Sequence, residues 1–384
     1  MKPNEVRSIK REVERELWAR AAGRCQFNGC NKPLYKSPIT QERVNISEKA
    51  HIYSFSKDGP RGWGRFAKNK KSINDIENLI LMCHDCHRTI DQDINGEKYS
   101  AKLLQQWKKE HERRVRIVTG ISSNMKSHVI FYGANIGDEK SPIQKNDAFE
   151  AMFPIKFPQD EHPIELSMKC EHDDSNPDYW TTETNNLKNL FKLQLIPRIQ
   201  DNDPAHFSIF ALAPQPLLIQ LGALFTDKID VETYQLHREP KTWKWQNYPD
   251  EFKFIIHKPQ NFNNPPVLIV SLSDFVDYKR IYSVLGGNVS IWELTTKEPH
   301  NDCIKSQAQL SMFRTEMRKL IIDIKQQHGN TTPLTIFPVM PISCAIELGR
   351  VRMPKADMSW VIYDQNHKEG KFIKALTISG DRNE

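Results

Sequence analysis

The chain has 384 residues, enough for two or three domains, with 38% hydrophobic and 27% charged residues. It contains no run of about 18 apolar residues and no apolar segment after its charged N-terminal stretch, so we expect neither a membrane-spanning helix nor a secretory signal. Residues 1–120 contain 25 Lys and Arg against 15 Asp and Glu, a net charge of +10, whereas the remainder carries −4. This asymmetry predicts that one module meets a polyanion and the other does not.

The N-terminal part predicts two helices that flank a loop-rich unit. Apolar residues at helical spacing indicate a helix over 5–22, and Ser100 is placed to cap a second helix over 100–118. Gly, Asn, Lys and Pro are frequent in the segment between these helices. The mixed polar stretch 121–150 is interpreted as a linker between a domain at 1–120 and a domain at 151–384.

The C-terminal part alternates short apolar runs with helical patterns, which predicts α/β layers. The expected strands are 207–212, 252–257, 266–272, 289–294, 334–339 and 359–363, and the expected helices are 217–225, 306–327 and 344–351.

An internal repeat supports this prediction. Residues 207–238 align without gaps to residues 334–365, with eight identities in 32 positions that include Gly222 with Gly349. Each copy has the pattern strand, proline turn, helix, glycine, turn, strand. Two such units side by side would present two strand ends to a shared cleft, and open α/β sheets bind ligands at the C-terminal ends of their strands.

Four of the seven cysteines form two close pairs, Cys25 with Cys30 and Cys83 with Cys86. Four thiolates suit a tetrahedral structural Zn²⁺ site, and metal binding would contribute to the folding of a segment too polar to build its own core. The alternative is four ordinary buried thiols, which the paired spacing disfavours.

Catalytic residue types surround the second cysteine pair. His87 and Asp91 are four residues apart, hence on one face of a predicted helix, and together they are candidate ligands of one divalent ion with open coordination positions. His51, on a strand-like segment, is a candidate general base towards a water molecule. A loop rich in basic residues lies between them and predicts DNA-phosphate contacts, with a solvated loop as the alternative. Its candidate residues are Arg61, Arg65, Lys68, Lys70 and Lys71.

This set resembles the HNH endonuclease family, whose ββα-metal fold carries a His base, an Asn that orients it and a final metal-binding His. The resemblance covers about residues 15–115 and implies that His51 is the base, Asn78 the orienting residue and His87 the metal ligand. Asp91 matches a position where some members carry a second metal-binding His. Ala50 departs from the pattern, because members usually carry a metal-binding residue there. We therefore expect a weakly held catalytic Mg²⁺ or Mn²⁺.

The C-terminal part resembles the SAVED domain, two fused CARF-like Rossmannoid halves that sense cyclic oligonucleotides. The resemblance rests on the segment 243–245, the turn 338–341 and the segment 347–350. Tryptophan rings can stack on bases, a lysine can meet a phosphate, and helix N-termini after the proline turns favour anions. Core packing of the tryptophans is the alternative. The candidate ligand residues are Pro214, Gln215, Trp243, Lys244, Trp245, Ser271, Met340, Pro341 and Ser343.

Together the two modules resemble the HNH–SAVED effectors of CBASS anti-phage systems. The expected fold class is α+β, with a small zinc-stapled ββα-metal domain followed by an α/β sensor domain. The resemblance implies a bacterial cytoplasmic nuclease that a cyclic di- or trinucleotide activates by assembling it into a homo-oligomer, a dimer or tetramer. The active assembly would then degrade double-stranded DNA.

Two alternatives remain at this stage. One is a constitutive restriction-type HNH nuclease with a C-terminal DNA-recognition domain, which the net charge of −4 disfavours. The other is a zinc-dependent binding protein without catalysis, which the presence of His51, Asn78 and His87 disfavours.

Overall fold

A computed structural model describes residues 8–66, 72–133, 143–167, 177–201, 205–247, 251–366 and 370–379. The chain forms two compact units, Met1–Ser122 and Ser123–Glu384. Among the residues in these ranges, no helix is both long and apolar enough to cross a membrane.

The first unit is a two-stranded antiparallel sheet with helices around it. Its elements are α1 (Arg11–Arg20), β1 (Ser47–His51), β2 (Leu79–Cys83), α2 (His84–Asp91) and α3 (Ala101–Thr119). Strand β2 is buried along its whole length and pairs with β1 so that His51 lies opposite Leu79. The hydroxyl of Ser100 caps α3 by accepting from the Leu103 N–H, which confirms the second predicted helix.

Among its described residues, the second unit contains two larger sheets with helices packed against them and one short antiparallel pair of strands. Its early elements are β3 (Lys126–Gly133), α4 (Lys145–Met152), β4 (Phe157–Pro158), β5 (Ile164–Glu165), α5 (Pro177–Leu190), a π-helical turn (Phe191–Leu195), α6 (Ile196–Gln200), β6 (His206–Leu212), α7 (Gln215–Phe225) and β7 (Asp230–Thr233). The later elements are β8 (His237–Arg238), β9 (Lys241–Thr242), β10 (Phe254–His257), β11 (Pro266–Ser271), α8 (Tyr278–Leu285), β12 (Ser290–Thr296), α9 (Gln307–His328), β13 (Leu334–Val339), α10 (Ile342–Val351), β14 (Trp360–Asn366) and β15 (Lys371–Ile378).

Both of the larger sheets of this unit are built on parallel strands. The first has the order β4-β3-β6-β7, with β5 also paired to β3, and its pairs are parallel. The second has the order β10-β12-β11-β13-β14-β15, in which the inner pairs are parallel and the edge strands β10 and β15 are antiparallel. This arrangement confirms the α/β layers and all six predicted strands.

Strand β3 was not expected from the sequence. It lies within the stretch 121–150 that was interpreted as a linker, yet it pairs with β6 through six residue pairs from His128 to Gly133. The strand begins with polar residues, so its apolar run from Val129 to Tyr132 was not recognised, although these residues are buried. Because other strands pair with both of its edges, β3 is part of the core.

The structure shows the repeat as two equivalent halves of the second unit, whose helices contact each other closely. Strand–helix–strand β6-α7-β7 corresponds to β13-α10-β14. A Cβ atom added at Gly222 of α7 would lie 1.9 Å from the carbonyl oxygen of Ile346, and one added at Gly349 of α10 would lie 2.0 Å from that of Ile219. The aligned positions of the repeat therefore meet reciprocally, and each glycine is needed because the partner backbone occupies the space of a side chain.

We predict that Gly222→Ala and Gly349→Ala each destabilise the protein. Alanine normally favours a helix over glycine, but here the added methyl group collides with backbone, and such overpacking costs about 1–3 kcal/mol. Urea unfolding of the full chain measures this change, with Ser311→Ala on the exposed face of α9 as the control. An increase in unfolding midpoint for either glycine variant would contradict the close contact.

Candidate functional site

The four paired cysteines converge in the first unit. Their sulfur atoms all lie within 4.8 Å of one another. Cys25 and Cys83 are buried, and Cys30 and Cys86 are half-buried. The Cys83 N–H donates to the sulfur of Cys25 at 3.3 Å. Burial raises the pKa of Cys25 to about 12 and also raises the pKa of Cys86, whereas hydrogen bonds from the neighbouring cysteines outweigh burial at Cys83 and lower its pKa. Four sulfurs at this separation match the donor set of tetrahedral zinc.

The candidate catalytic side chains meet beside this cluster. His51 ends β1, and α2 carries His87 and Asp91, whose Nε2 and Oδ2 atoms are 3.2 Å apart. Burial lowers the pKa of His51, the hydrogen bond from its ring to Oδ1 of Asn74 opposes that effect, and the charges of His87 and Asp91 also act on this pKa. The structure therefore brings the predicted base close to the predicted metal-binding pair.

The contact between His87 and Asp91 shifts the pKa of both groups. The hydrogen bond to Asp91 raises the pKa of His87. Burial alone would raise the pKa of Asp91, but the hydrogen bonds and charges of His87 and Arg61 outweigh it and lower that pKa. Asp91 is thus held as a carboxylate, the form that interacts with a divalent cation.

Two asparagines contact His51 or the chain next to it in different ways. Asn78 is fully buried; its Oδ1 accepts from the Tyr53 N–H at 2.9 Å, and its Nδ2 donates to the carbonyls of Tyr53 and Ile73 at 3.0 and 2.8 Å. Within the described part of the chain, none of these side-chain hydrogen bonds goes to the imidazole. It therefore fixes the chain that follows His51. Asn74, which the sequence analysis did not identify, lies with Oδ1 2.8 Å from Nε2 of the imidazole.

Arg61 occupies a different position from the one expected of a DNA contact. Its side chain is only 3% exposed, and its guanidinium donates to backbone carbonyls and to Asp91 within the unit. It is therefore not available to a phosphate. Arg65 is exposed, as a residue that contacts DNA must be. Its guanidinium lies 5.0 Å from the centre of the Phe66 ring. Lys68, Lys70 and Lys71 lie outside the described residues.

A cavity of about 700 Å³ opens in the second unit where its two repeat halves meet. It lies at the C-terminal ends of β6, β7, β13 and β14, as the repeat predicted. Four of the nine predicted ligand residues line it, namely Pro214, Gln215, Met340 and Pro341.

The other predicted ligand residues lie away from the cavity lining. Ser343 is buried, and its N–H and hydroxyl donate to Oε1 of Gln235 at 3.1 and 2.8 Å. The Gln235 side chain therefore occupies the N-terminus of α10, where we expected an anion. The hydroxyl of Ser271 donates to Glu293.

The segment 243–245 serves packing instead. Trp243 is 3% exposed, with its ring centre 5.2 Å from that of Phe210 in the core. Trp245 is half-buried beside the ring of His237, and Lys244 forms an ion pair with Glu150. None of the three lines the cavity, so the alternative of core packing describes Trp243.

Several polar lining residues were missed by the sequence analysis. Arg238 and Lys241 are exposed at the cavity, and neither side chain forms an ion pair within the described part of the chain. His237 is fully buried, and neither ring nitrogen has a hydrogen-bond partner among the described residues. Asp274 and Asp364 also line the cavity. Arg238 and Lys241 precede the segment 243–245 with no recognisable spacing, so no sequence signal indicated them.

Comparison with protein families agrees with this division. Residues 187–378 match the family described as the SMODS-associated and fused to various effectors sensor domain, SAVED. Residues 25–93 match an HNH endonuclease family. No curated protein matches the chain.

Solved structures similar to this chain include receptors from two bacteria. One is the Acinetobacter baumannii Cap4 SAVED/CARF-domain containing receptor with the cyclic trinucleotide 2'3'3'-cAAA, at 11% identity and a TM-score of 0.44, with 81% of this chain and 66% of that chain covered. Another is the Moraxella osloensis Cap4 SAVED/CARF-domain containing receptor, at 10% identity and a TM-score of 0.40, with 81% and 69% covered. The chain thus spans just under two thirds of the length of the first of these receptors.

The family matches cover the two units separately. The sensor match takes in both repeat halves and the cavity between them, and the endonuclease match includes the cysteine cluster, His51, His87 and Asp91. The chain belongs to the SAVED sensor family and carries an HNH endonuclease domain in front of its sensor domain.

Proposed function

We propose that this protein is a metal-dependent DNA endonuclease that a cyclic oligonucleotide switches on, and that it acts in the bacterial cytoplasm as a CBASS-type anti-phage effector. The observation that carries the proposal is the convergence of His51 with His87 and Asp91 in one unit, together with an open cavity at the strand ends of the other. A sensor family member joined to a nuclease domain supports regulation of the one by the other.

His51 is the proposed general base. The Oδ1 atom of Asn74 accepts from Nε2–H of the ring, which leaves Nδ1 as the unprotonated nitrogen that takes a proton from the attacking water. Burial lowers the pKa of His51, which keeps the ring neutral near pH 7. Asn78 acts on the base indirectly through the backbone of Tyr53.

His87 and Asp91 would hold the catalytic Mg²⁺ or Mn²⁺ at the end of α2. A divalent ion bound there would supply charge stabilisation for the phosphate under attack and for the leaving oxygen. Since Ala50 supplies no ligand, this pair carries the protein's share of the coordination, and we propose that the ion exchanges readily with solvent. The four cysteines would hold a separate Zn²⁺ with a purely structural role.

The proposed substrate is double-stranded DNA, cut with little sequence preference. The net charge of +10 in residues 1–120 supports binding to phosphates, for which Arg65 is exposed. A single nuclease centre cuts one strand, so cleavage of both strands needs two copies close together. We therefore propose that the active state is a homo-oligomer, a dimer or tetramer, which the ligand favours through its differential affinity for the assembled form.

The proposed ligand is a cyclic di- or trinucleotide bound in the cavity. Arg238 and Lys241 are the cations that would contact its phosphates. His237, Asp274 and Asp364 offer polar atoms to base edges and ribose hydroxyls, while Pro214, Met340 and Pro341 offer apolar contact. This assignment replaces the tryptophans of segment 243–245 by residues that line the cavity.

We predict that His51→Ala lowers plasmid cleavage by about 10²- to 10⁴-fold, the range that a general base contributes. The assay uses the full chain, supercoiled plasmid, Mg²⁺ or Mn²⁺, and a mixture of cyclic dinucleotides with 2′3′3′- and 3′3′3′-cyclic triadenylate. His84→Ala is the matched control, because His84 lies in the same motif but is exposed and its ring pairs with Glu48. Equal cleavage by wild type and His51→Ala would contradict the proposed base. Cleavage without any cyclic nucleotide would favour the constitutive nuclease.

We predict that Arg238→Ala and Lys241→Ala each raise the cyclic nucleotide concentration needed for cleavage by about 10- to 100-fold, because each removes a charge-assisted hydrogen bond to phosphate. Titration of cleavage with the individual cyclic nucleotides measures the shift. Lys244→Ala is the control, since Lys244 is exposed but lies outside the cavity. A shift in Lys244→Ala and none in the other two variants would place the ligand elsewhere.

A further inference from the structure

Arg61 connects the two elements that carry the proposed catalytic residues. Its Nε donates to the carbonyl of Ile52 at 2.7 Å, and one terminal nitrogen donates to the carbonyl of His51 at 3.4 Å. The guanidinium also donates to the carbonyl of Ile90 at 2.8 Å and to Oδ1 of Asp91 at 3.2 Å. One buried side chain therefore bonds both the end of β1 and the last turn of α2.

The acceptors on α2 explain why an arginine suits this place. Ile90 is in the last turn of the helix, where carbonyls have no partner within the helix and where the helix dipole favours a cation. The other oxygen of Asp91 lies 3.2 Å from Nε2 of His87. The chain of contacts from Arg61 through Asp91 therefore ends on the proposed metal-binding histidine. A planar guanidinium reaches these separate acceptors at once, which an ammonium group cannot do.

The backbone at this position is costly for any residue other than glycine. Arg61 has φ +62°, in the left-handed region, and its N–H donates to the carbonyl of Ile94 at 3.0 Å. Gly96 makes room for the arginine stem, because a Cβ atom there would lie 2.8 Å from Cγ of Arg61. A long side chain kept in a conformation that favours glycine indicates that the side chain itself is required.

We propose that Arg61 is a positioning residue that holds His51 at a fixed distance from His87 and Asp91. This inference rests on the proposed nuclease function. It assigns Arg61 to the interior of the centre and leaves DNA contact to its exposed neighbour Arg65. Arg61 acts through the backbone of the base and through the carboxylate of Asp91, and it does not touch the reacting atoms.

The test is Arg61→Gly in the full chain, compared with wild type in the plasmid assay described above. Glycine relaxes the backbone at φ +62° and leaves a space that free guanidinium fits. We expect a loss of about 10²-fold, the scale of a misplacement of about 1 Å. Guanidinium at tens of millimolar restores cleavage in Arg61→Gly, whereas methylammonium does not, and guanidinium has no effect on His51→Ala.

A second readout is Mn²⁺ binding by the full chain, measured by calorimetry. Loss of positioning weakens Mn²⁺ binding by about 10-fold or more, as removal of a residue that orients a metal ligand does. Removal of a nearby positive charge alone would tighten Mn²⁺ binding, so tighter binding in Arg61→Gly overturns the proposal. Arg65→Ala is the matched control and leaves Mn²⁺ binding unchanged.

The outcomes separate this inference from the proposed function. A failure of the proposed function is seen as wild-type protein that does not cleave, or as His51→Ala that cleaves like wild type. If wild type cleaves and Arg61→Gly cleaves equally well, the positioning role is overturned. A loss that guanidinium does not restore, with a lower cysteine-bound zinc content, assigns Arg61 to folding alone and also overturns it. If Arg61→Gly does not fold, Arg61→Lys decides by the same two readouts, with a partial loss of each expected.

Discussion

The convergence of four cysteine sulfurs is the constraint on which the first unit depends. These atoms lie within 4.8 Å of one another, although they come from a turn after α1 and from the junction of β2 with α2. Cys25 and Cys83 belong to the buried core of this unit, which has thirteen residues among those described. A core of thirteen residues buries little apolar surface for a unit of this size. Cys86 is in the first turn of α2 and His87 follows it directly. A cation shared by the four sulfurs would thus fix the helix that carries the proposed metal-binding pair, His87 and Asp91.

The second unit depends on backbone contact between its two repeat halves. Gly222 and Gly349 let α7 and α10 approach until each lies against a carbonyl of the other. Buried polar bonds then connect β7 and the residues that follow it with α10: the Thr233 hydroxyl donates to Glu347 at 2.8 Å, and Oε1 of Gln235 accepts from Ser343. Arg350 of the same helix donates to the carbonyl of Ile229 at 3.0 Å. Residues of both repeat halves therefore line the cavity at the strand ends, so a ligand bound there would contact both halves at once.

The sequence predicted features that repeat or that occur at fixed spacing. The cysteine pairs, the i and i+4 placement of His87 and Asp91, and the aligned glycines each depend on local chain geometry, and the structure agrees with them. The direction of individual side chains depends on tertiary packing and was not predictable. Trp243 packs on Phe210, and Arg61 finds acceptors at Ile90 and Asp91, about thirty positions away along the chain. Asn74 contacts the imidazole without any motif that would distinguish it from other loop asparagines.

Zinc X-ray absorption spectroscopy on the purified full chain tests the central claim most directly. The account predicts one zinc per chain with four sulfur neighbours at about 2.3 Å, the usual Zn–S distance, and no nitrogen or oxygen ligand. Replacement of Cys86 by serine should then remove the metal and the ordered α2 helix together. A protein without zinc would contradict this claim, and so would zinc held by a mixture of sulfur and histidine nitrogen. In either case, something other than the four-cysteine cluster would position α2 and its proposed metal-binding pair.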